Sequence, residues 1–401
     1  MTRLFGTYVR LYREALSGFP RATWLLAAIT LVHRMGQMVL LFQTLYFKKV
    51  LGFDEAVIGS LLLCYGIGNA VGAYFGGWLC DRMSAVTVQG AALAINGAAL
   101  IALPLAPDLP PLFLLMALVG VAGTAFRPAA STLLVSTCPP ARRAQAFAFF
   151  RLPINLGCGL GPLIGGELAE IDYRLVFWVE GGVCLLTAVL VSILLRGRVV
   201  APVEEDVAPE NDTRSPWRDR LFLLLVFNTG MLAFIVVQWF TAGTLFLDEE
   251  FGMSEEEIGR VFALNPLLIV LFEMILVQSL GDRKRLPWIA GSGWLVSASC
   301  FVLLLGVGWP FAVFSVTLWT VAEMMESPLT GAFVASRAGR ANRGRYMGVY
   351  TLSYSLAHGI APATAVWIYG ELGPTALWTI AGVVAAILAL AVGLAARRHD
   401  L

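Results

Sequence analysis

"RAQAFAFFRLPINLGCGLGP", residues 143–162, and "RGRYMGVYTLSYSLAHGIAP", residues 343–362, share their punctuation 200 positions apart. Arg143 stands over Arg343, Gly159 over Gly359 and Pro162 over Pro362. One such pair is coincidence, but many at one offset are an internal repeat. The offset holds elsewhere. "FRPAAST" (126–132) lies over "ESPLTGA" (326–332), with Pro128 on Pro328. Gly52 meets Gly252, and Ile58-Gly59 meets Ile258-Gly259. "CDR" (80–82) meets "GDR" (281–283) one residue out of step. The chain reads as one unit duplicated.

Composition says what solvent the unit lives in. Of 401 residues, 58% are hydrophobic and 14% charged. Soluble proteins carry about 25% charged residues, so this chain cannot cover a water-facing surface and the bilayer is its natural solvent. A spanning helix needs about 20 mostly apolar residues. Twelve stretches meet that expectation: 22–47, 56–79, 85–105, 110–136, 144–168, 174–195, 221–247, 257–279, 287–307, 310–336, 345–369 and 374–396. A polar connection, 196–220, divides them six and six and reads as a flexible linker from its Pro, Glu and Asp content. The expected organisation is a six-helix bundle at 1–195, the linker at 196–220 and a second bundle at 221–401. Arg3, Arg10, Arg13 and Arg21, interleaved with apolar residues, make 1–20 an amphipathic segment on the membrane surface.

Basic residues set the orientation. With both termini inside, twenty-one Lys and Arg fall on the cytoplasmic side and four (Lys48, Lys49, Arg174, Arg260) outside. Both termini are therefore expected in the cytoplasm, with the chain multi-pass in the cell (inner) membrane. The outer run "DEEFGMSEEE" (248–257) reads as a solvated loop. Net charge is +1, which gives no bulk attraction to nucleic acid. The six cysteines form no CxxC pair and read as small buried apolar residues rather than metal ligands or disulfides.

Two motifs carry a family resemblance. "GGWLCDRMS" (76–84) resembles the glycine-then-Asp-Arg signature between helices 2 and 3 of the major facilitator superfamily. "LGCGLGPLIGG" (156–166) resembles the glycine–proline signature of that family's drug:proton antiporter branch, and "AEMMESP" with "RGRYMGVY" is similar to the same branch. The resemblance covers nearly the whole chain. It implies an all-α membrane fold of twelve helices in two parallel-related bundles, rocking around a midplane site. It also implies that Asp81 and Arg82 serve an inward gate. The sequence departs from the pattern at Ser84 and Ala85, where the family has Gly and a base, and at Ser136, where it often has an acid. Gly157, Gly161 and Gly165 fall at i, i+4, i+8 and form a smooth strip. Pro162 removes one helix donor. Together these four are expected to form a surface on which the halves pivot.

Ionisable residues within spans mark pathways or pairs. Here they are His33, Arg34, Arg127, Arg151, Glu180, Glu273, Glu323, Glu326 and His358. The arginines are in the first half, and three of the four acids in the second. Glu323 and Glu326 share one helix face. Two charged carboxylates in one apolar turn repel each other and are poorly solvated, so one is suited to take up a proton. Their counterpart in the first half, "VAGTAFRPAAS" (121–131), has Gly123 at the place of Glu323 and carries Arg127 on the same turn. The expected proton-coupling set is Glu323, Glu326, Glu273, Arg127 and His358, where the resemblance implies the part of Arg127. Arg34, Glu323, Phe42, Tyr46, Trp239, Trp319, Met324 and Tyr354 are the expected cavity. Arg151 reads as structural, His33 as a packing residue, and Glu180 as an acid near the outer end of span 6 that reaches water.

No metal cluster, nucleophile elbow or phosphate loop occurs, so neither an enzyme nor ATP-driven transport is expected. The expectation is a monomeric, proton-coupled exporter of small lipophilic or cationic compounds, with no cofactor beyond the proton gradient. A proton-coupled importer or exporter of one specific metabolite on the same fold is the alternative.

Overall fold

The structure, a computed structural model, describes residues 19–80, 82–106, 108–137, 143–195, 215–280, 285–337 and 343–399. Among them the chain is helical, with no strand. In order the helices are α1 (Arg21–Gly36), α2 (Val39–Leu45), α3 (Glu55–Cys80), α4 (Ala85–Ala102), α5 (Leu109–Thr137), α6 (Arg143–Ile171) and α7 (Tyr173–Leu194). They continue as α8 (Arg220–Gln238), α9 (Ala242–Glu249), α10 (Glu255–Leu280), α11 (Arg285–Val302), α12 (Trp309–Arg337), α13 (Arg343–Leu372) and α14 (Pro374–His399). A π-turn (Tyr46–Val50) extends α2.

Short polar residues start these helices by accepting orphan backbone N–H groups. Asp54 takes the N–H of Val57 at the head of α3, and Asp172 that of Arg174 before α7. Ser254 and Glu257 exchange bonds as a capping box on α10. Ser84 accepts the N–H of Thr87 and caps α4, which gives one departure from the family signature a local reason. Gly52 and Gly252 have positive φ, 69° and 63°, a conformation glycine adopts without steric cost. The repeat therefore extends to backbone geometry.

Among the described residues, seven helical stretches are long and apolar enough to cross a membrane: Arg21–Val50, Glu55–Cys80, Ala85–Leu105, Leu109–Phe126, Tyr173–Leu194, Arg220–Glu249 and Pro374–Arg398. The other five expected spans fall on α6, α10, α11, α12 and α13, which carry more polar residues, prolines or in-span charges. Much of the outward surface is apolar: Ile67, Leu114, Ile193, Trp367 and Ile387 are all exposed. An apolar exterior of this extent belongs against lipid.

Within the first half α1 packs on α6 and α7, α3 on α5, and α4 on α5 and α7. Within the second α8 packs on α13, α10 on α12, and α11 on α12 and α14. The halves meet along two lines, α6 on α10 and α3 on α13. Glycines let the backbones touch at both. A methyl group added at Gly159 would lie 3.3 Å from the Pro266 ring, and one at Gly59 would lie 3.4 Å from the Ala363 carbonyl. At Gly66 it would strike the Gly359 carbonyl, and at Gly259 the Pro162 carbonyl. The expected pivot strip needs correction here. Gly157, Gly161 and Gly165 face the backbone or side chains of Leu31, Arg34, Gln37, Met38 and Phe42, so they seat α1 and α2 of their own half. The other side of α6, with Gly159, Pro162 and Gly166, meets the second half.

Candidate functional site

The first membrane helix is broken. α1 stops at Gly36 and α2 begins at Val39, and the equivalent break in the second half separates α8 from α9. Each break frees backbone groups that need partners. At the first, Glu180 of α7 supplies them: its Oε2 accepts the N–H of Met38 at 2.9 Å and of Val39 at 2.7 Å. Glu180 is buried. The expectation that it reaches water is therefore overturned; it serves the backbone instead.

Beside the second break, between α8, α10, α11, α12 and α13, lies a cavity of about 470 Å³. Every described residue lining it belongs to the second half. Phe240, Trp319, Tyr350 and Tyr354 give it aromatic walls, and Asn265, Glu323, Glu326 and His358 give it polarity. Glu323 is exposed to it, and its Oε2 accepts from Asn265 Nδ2 at 3.0 Å. The same Nδ2 donates to Thr320 at 3.1 Å. Glu326, one turn on, is 7% exposed. Its Oε1 accepts from the Thr229 hydroxyl and from Thr330 at 3.0 Å, and its Oε2 from Tyr354 at 3.3 Å. All three donors are neutral hydroxyls of its own half, and no arginine among the described residues pairs with it. The two acids share a face but not an environment. His358 donates from Nδ1 to the Tyr354 carbonyl at 2.9 Å, which orients its ring at the cavity edge.

Several expected cavity residues lie elsewhere. Phe42, Tyr46, Trp239 and Met324 are buried in the core. Tyr46 packs on Phe177, and Trp239 on Trp378, with ring centres 4.8 and 5.0 Å apart. Arg34 is half-buried; it donates to Gln37 at 2.5 Å and lies 5.8 Å from the Phe126 ring centre. It is not among the described residues that line this cavity. His33 is buried edge-on against Phe126, as a packing residue would be. Glu273 is half-buried on α10 and not among the lining residues. Arg127 and Arg151 lie on α5 and α6 with side chains outside the described residues, and Asp81 is outside them altogether. Arg82 is exposed and stacks 3.9 Å over Trp78. Thr229, Thr330 and Tyr350 were not anticipated; single hydroxyls in apolar helices carry little signal until their partner is placed.

At the end of the bundle that holds 48–55 and 248–257, the halves are joined by charge. Lys48 pairs with Glu55 at 2.6 Å and with Glu249 across the divide. Lys49 pairs with Asp248 at 2.5 Å and Glu255 at 2.9 Å. The Tyr173 hydroxyl also donates to Glu255. The run "DEEFGMSEEE" is thus a clasp and not a solvated loop.

Known proteins resemble this architecture throughout. The family model described as Major Facilitator Superfamily matches residues 26–362 and 238–400. A Na(+), Li(+), K(+)/H(+) antiporter of Planococcus maritimus is 25% identical, covering 81% of this chain and 84% of the relative. Multidrug resistance protein MdtH of Photorhabdus laumondii is 25% identical over 86% of each. Quinolone resistance protein NorA of Staphylococcus aureus is 21% identical over 80% and 82%. Among solved structures, peptide transporter POT in complex with sulfate superimposes with a TM-score of 0.79 at 21% identity, over 96% of each chain. A bacterial homologue of the human lysosomal transporter Spinster, inward-facing and unoccupied, gives 0.74 at 17%, over 94% and 96%. At such identities the structures speak to the fold.

Proposed function

The chain belongs to the major facilitator superfamily of membrane transporters, and from that premise we propose that it exports small lipophilic or cationic compounds in exchange for protons. The observation that carries this reading is the pair of unlike acids on one cavity wall. Glu323 is open to the cavity and accepts from the Asn265 amide, while Glu326 is buried among hydroxyls. An open carboxylate among aromatic rings suits an organic cation. A buried carboxylate with no countercharge among the described residues suits a proton, since neutralising it removes a costly buried charge.

On this reading the chain crosses the cell membrane twelve times, as two six-helix bundles, with both termini cytoplasmic. It works as a monomer powered by the proton gradient, without a cofactor. The clasped end is then the outer face, and alternating access opens it by parting the two glycine-lined joints. Glu273, Arg127 and His358 assist proton movement, and Asp81 and Arg82 the inner gate. The names of the relatives support antiport, two being drug-resistance proteins and one a cation/H(+) antiporter. A 470 Å³ cavity with aromatic walls favours an organic cargo over an alkali ion.

Purified protein in vesicles with an imposed pH gradient tests the reading. A fluorescent lipophilic cation should move against the direction of proton flow and stop when the gradient is collapsed. Movement of the cation with the protons, or movement indifferent to the gradient, would sink it. Sodium in place of the dye should produce no proton flux.

A further inference from the structure

A second and larger cavity lies at the opposite end of the second half from the clasp. It is open, about 1150 Å³, and formed where α8 begins and α12 and α14 end. Four arginines line it: Arg218, Arg220, Arg337 and Arg398. The single acid among the described lining residues, Asp219, is already engaged, since Arg337 Nε reaches Oδ2 at 2.5 Å and its NH2 group reaches Oδ1 at 3.0 Å. Arg218, Arg220 and Arg398 are exposed and pair with no acid among the described residues. Three like charges converging on one opening repel each other, and an anion between them would relieve that repulsion.

The rest of the lining distinguishes among anions. Below the arginines the wall is apolar: Leu221 and Leu224 one turn apart on α8, facing Ala391 and Leu394 one turn apart on α14. A free inorganic anion has no use for such a wall, whereas an acyl chain does. Depth agrees. Two stretches long and apolar enough to cross a membrane, Arg220–Glu249 and Pro374–Arg398, end at this rim. Arg220 and Arg398 therefore stand where hydrocarbon gives way to headgroups. Trp217, 64% exposed beside Arg218, is the residue type that settles at that level.

We infer that this cavity binds an anionic phospholipid, with its phosphodiester between Arg218, Arg220 and Arg398 and an acyl chain along the Leu221–Leu394 wall. Basic pockets at helix ends on the cytoplasmic side hold anionic headgroups by this combination of charge and apolar surface. The site is separate from the transport cavity and independent of what that cavity carries.

Native mass spectrometry of the detergent-purified protein tests the inference, using phosphatidylglycerol and phosphatidylcholine with identical chains. Wild type should retain phosphatidylglycerol preferentially. The double variant Arg220→Gln, Arg398→Gln should weaken it about thirtyfold, two basic residues' worth of headgroup attraction. Arg260→Gln, at the other end, should leave it unchanged. Arg398→Gln alone, at the end of α14, serves if the double variant unfolds, and should give about a fivefold loss. Inorganic phosphate at millimolar concentration should not displace the lipid. Equal retention of both lipids, undiminished binding by the arginine variants, or displacement by inorganic phosphate would each overturn it.

Discussion

Asp248 lies 2.5 Å from the ammonium of Lys49, although 199 residues separate them in the chain. That one contact fastens the second half of the molecule to the first, and Glu255 shares it from the start of α10. The pairs are partly exposed, where each is worth about 0.2–1 kcal/mol and weakens with salt. Several in series still bias a two-state equilibrium. Lys49→Gln should shift the population toward the state open at this end by roughly threefold. Distances between spin labels placed on either side of the clasp will measure the shift. The charge-swapped pair Lys49→Asp, Asp248→Lys should restore the closed population, and high salt should imitate the single variant.

Glu323 and Glu326 should fail in different ways. Glu326→Gln keeps one acceptor oxygen, enough for the Thr229 and Thr330 hydroxyls that share Oε1, but cannot exchange a proton. It should bind cargo and lose pH-driven transport. Glu323→Gln should retain proton movement but bind cationic cargo about tenfold more weakly, with neutral cargo unaffected. Dye binding and proton flux on the same preparations separate the two. Identical phenotypes would mean that the acids act as one unit.

Glu180 should prove structural. Its removal in Glu180→Ala strands two buried N–H groups at the break between α1 and α2, at about 1–3 kcal/mol each. Glu180→Gln keeps one acceptor oxygen and should recover much of the loss. Thermal unfolding in detergent will rank wild type above Gln above Ala.

The joint between α3 and α13 should tolerate no side chain. Gly66→Val drives a methyl group into the Gly359 carbonyl and should hold the clasped end apart. Transport should fall below a tenth of wild type while the protein remains folded, and the same spin-label distances should lengthen.

Asp219 gives a pH dependence with a definite sign. Burial opposes its charge, but the two bonds from Arg337 and the N–H of Phe222 outweigh that and hold the carboxyl below its usual range. A depressed carboxylate contributes stability above its unfolded pKa, about 3.9, and loses it as pH falls through the lower folded value. The melting difference between wild type and Asp219→Asn should be constant from pH 5 to 8 and shrink below about pH 4.

The helices were largely legible in the sequence, because spanning segments are long and apolar and the repeat punctuates them twice. The importance of Glu323 and Glu326 was legible too, since a carboxylate at that depth has a cost that marks it. Their surroundings were not. Charge alone does not say which helix faces which, so it names no partner for either acid. Among the described residues the hydroxyls of Thr229, Thr330 and Tyr354 are the partners of Glu326, and no single-residue pattern announces such a cradle. Glu180 looked like a surface acid because sequence position gives depth without direction. Lys49 and Asp248 looked like loop charges because a contact spanning 199 positions leaves no local trace.

The glycine joints have a consequence for how such a chain arises. Gly59 and Gly259 occupy equivalent places, as do Gly66 and Pro266, and Gly159 and Gly359. The second joint therefore reuses the surface of the first with the partners exchanged, which is the signature of a two-fold, self-complementary interface. A single ancestral six-helix unit carrying one such patch would have dimerised through it before the two copies were fused. Fusion then freed each copy to diverge, and Glu323 of the second half stands where the first half has Gly123.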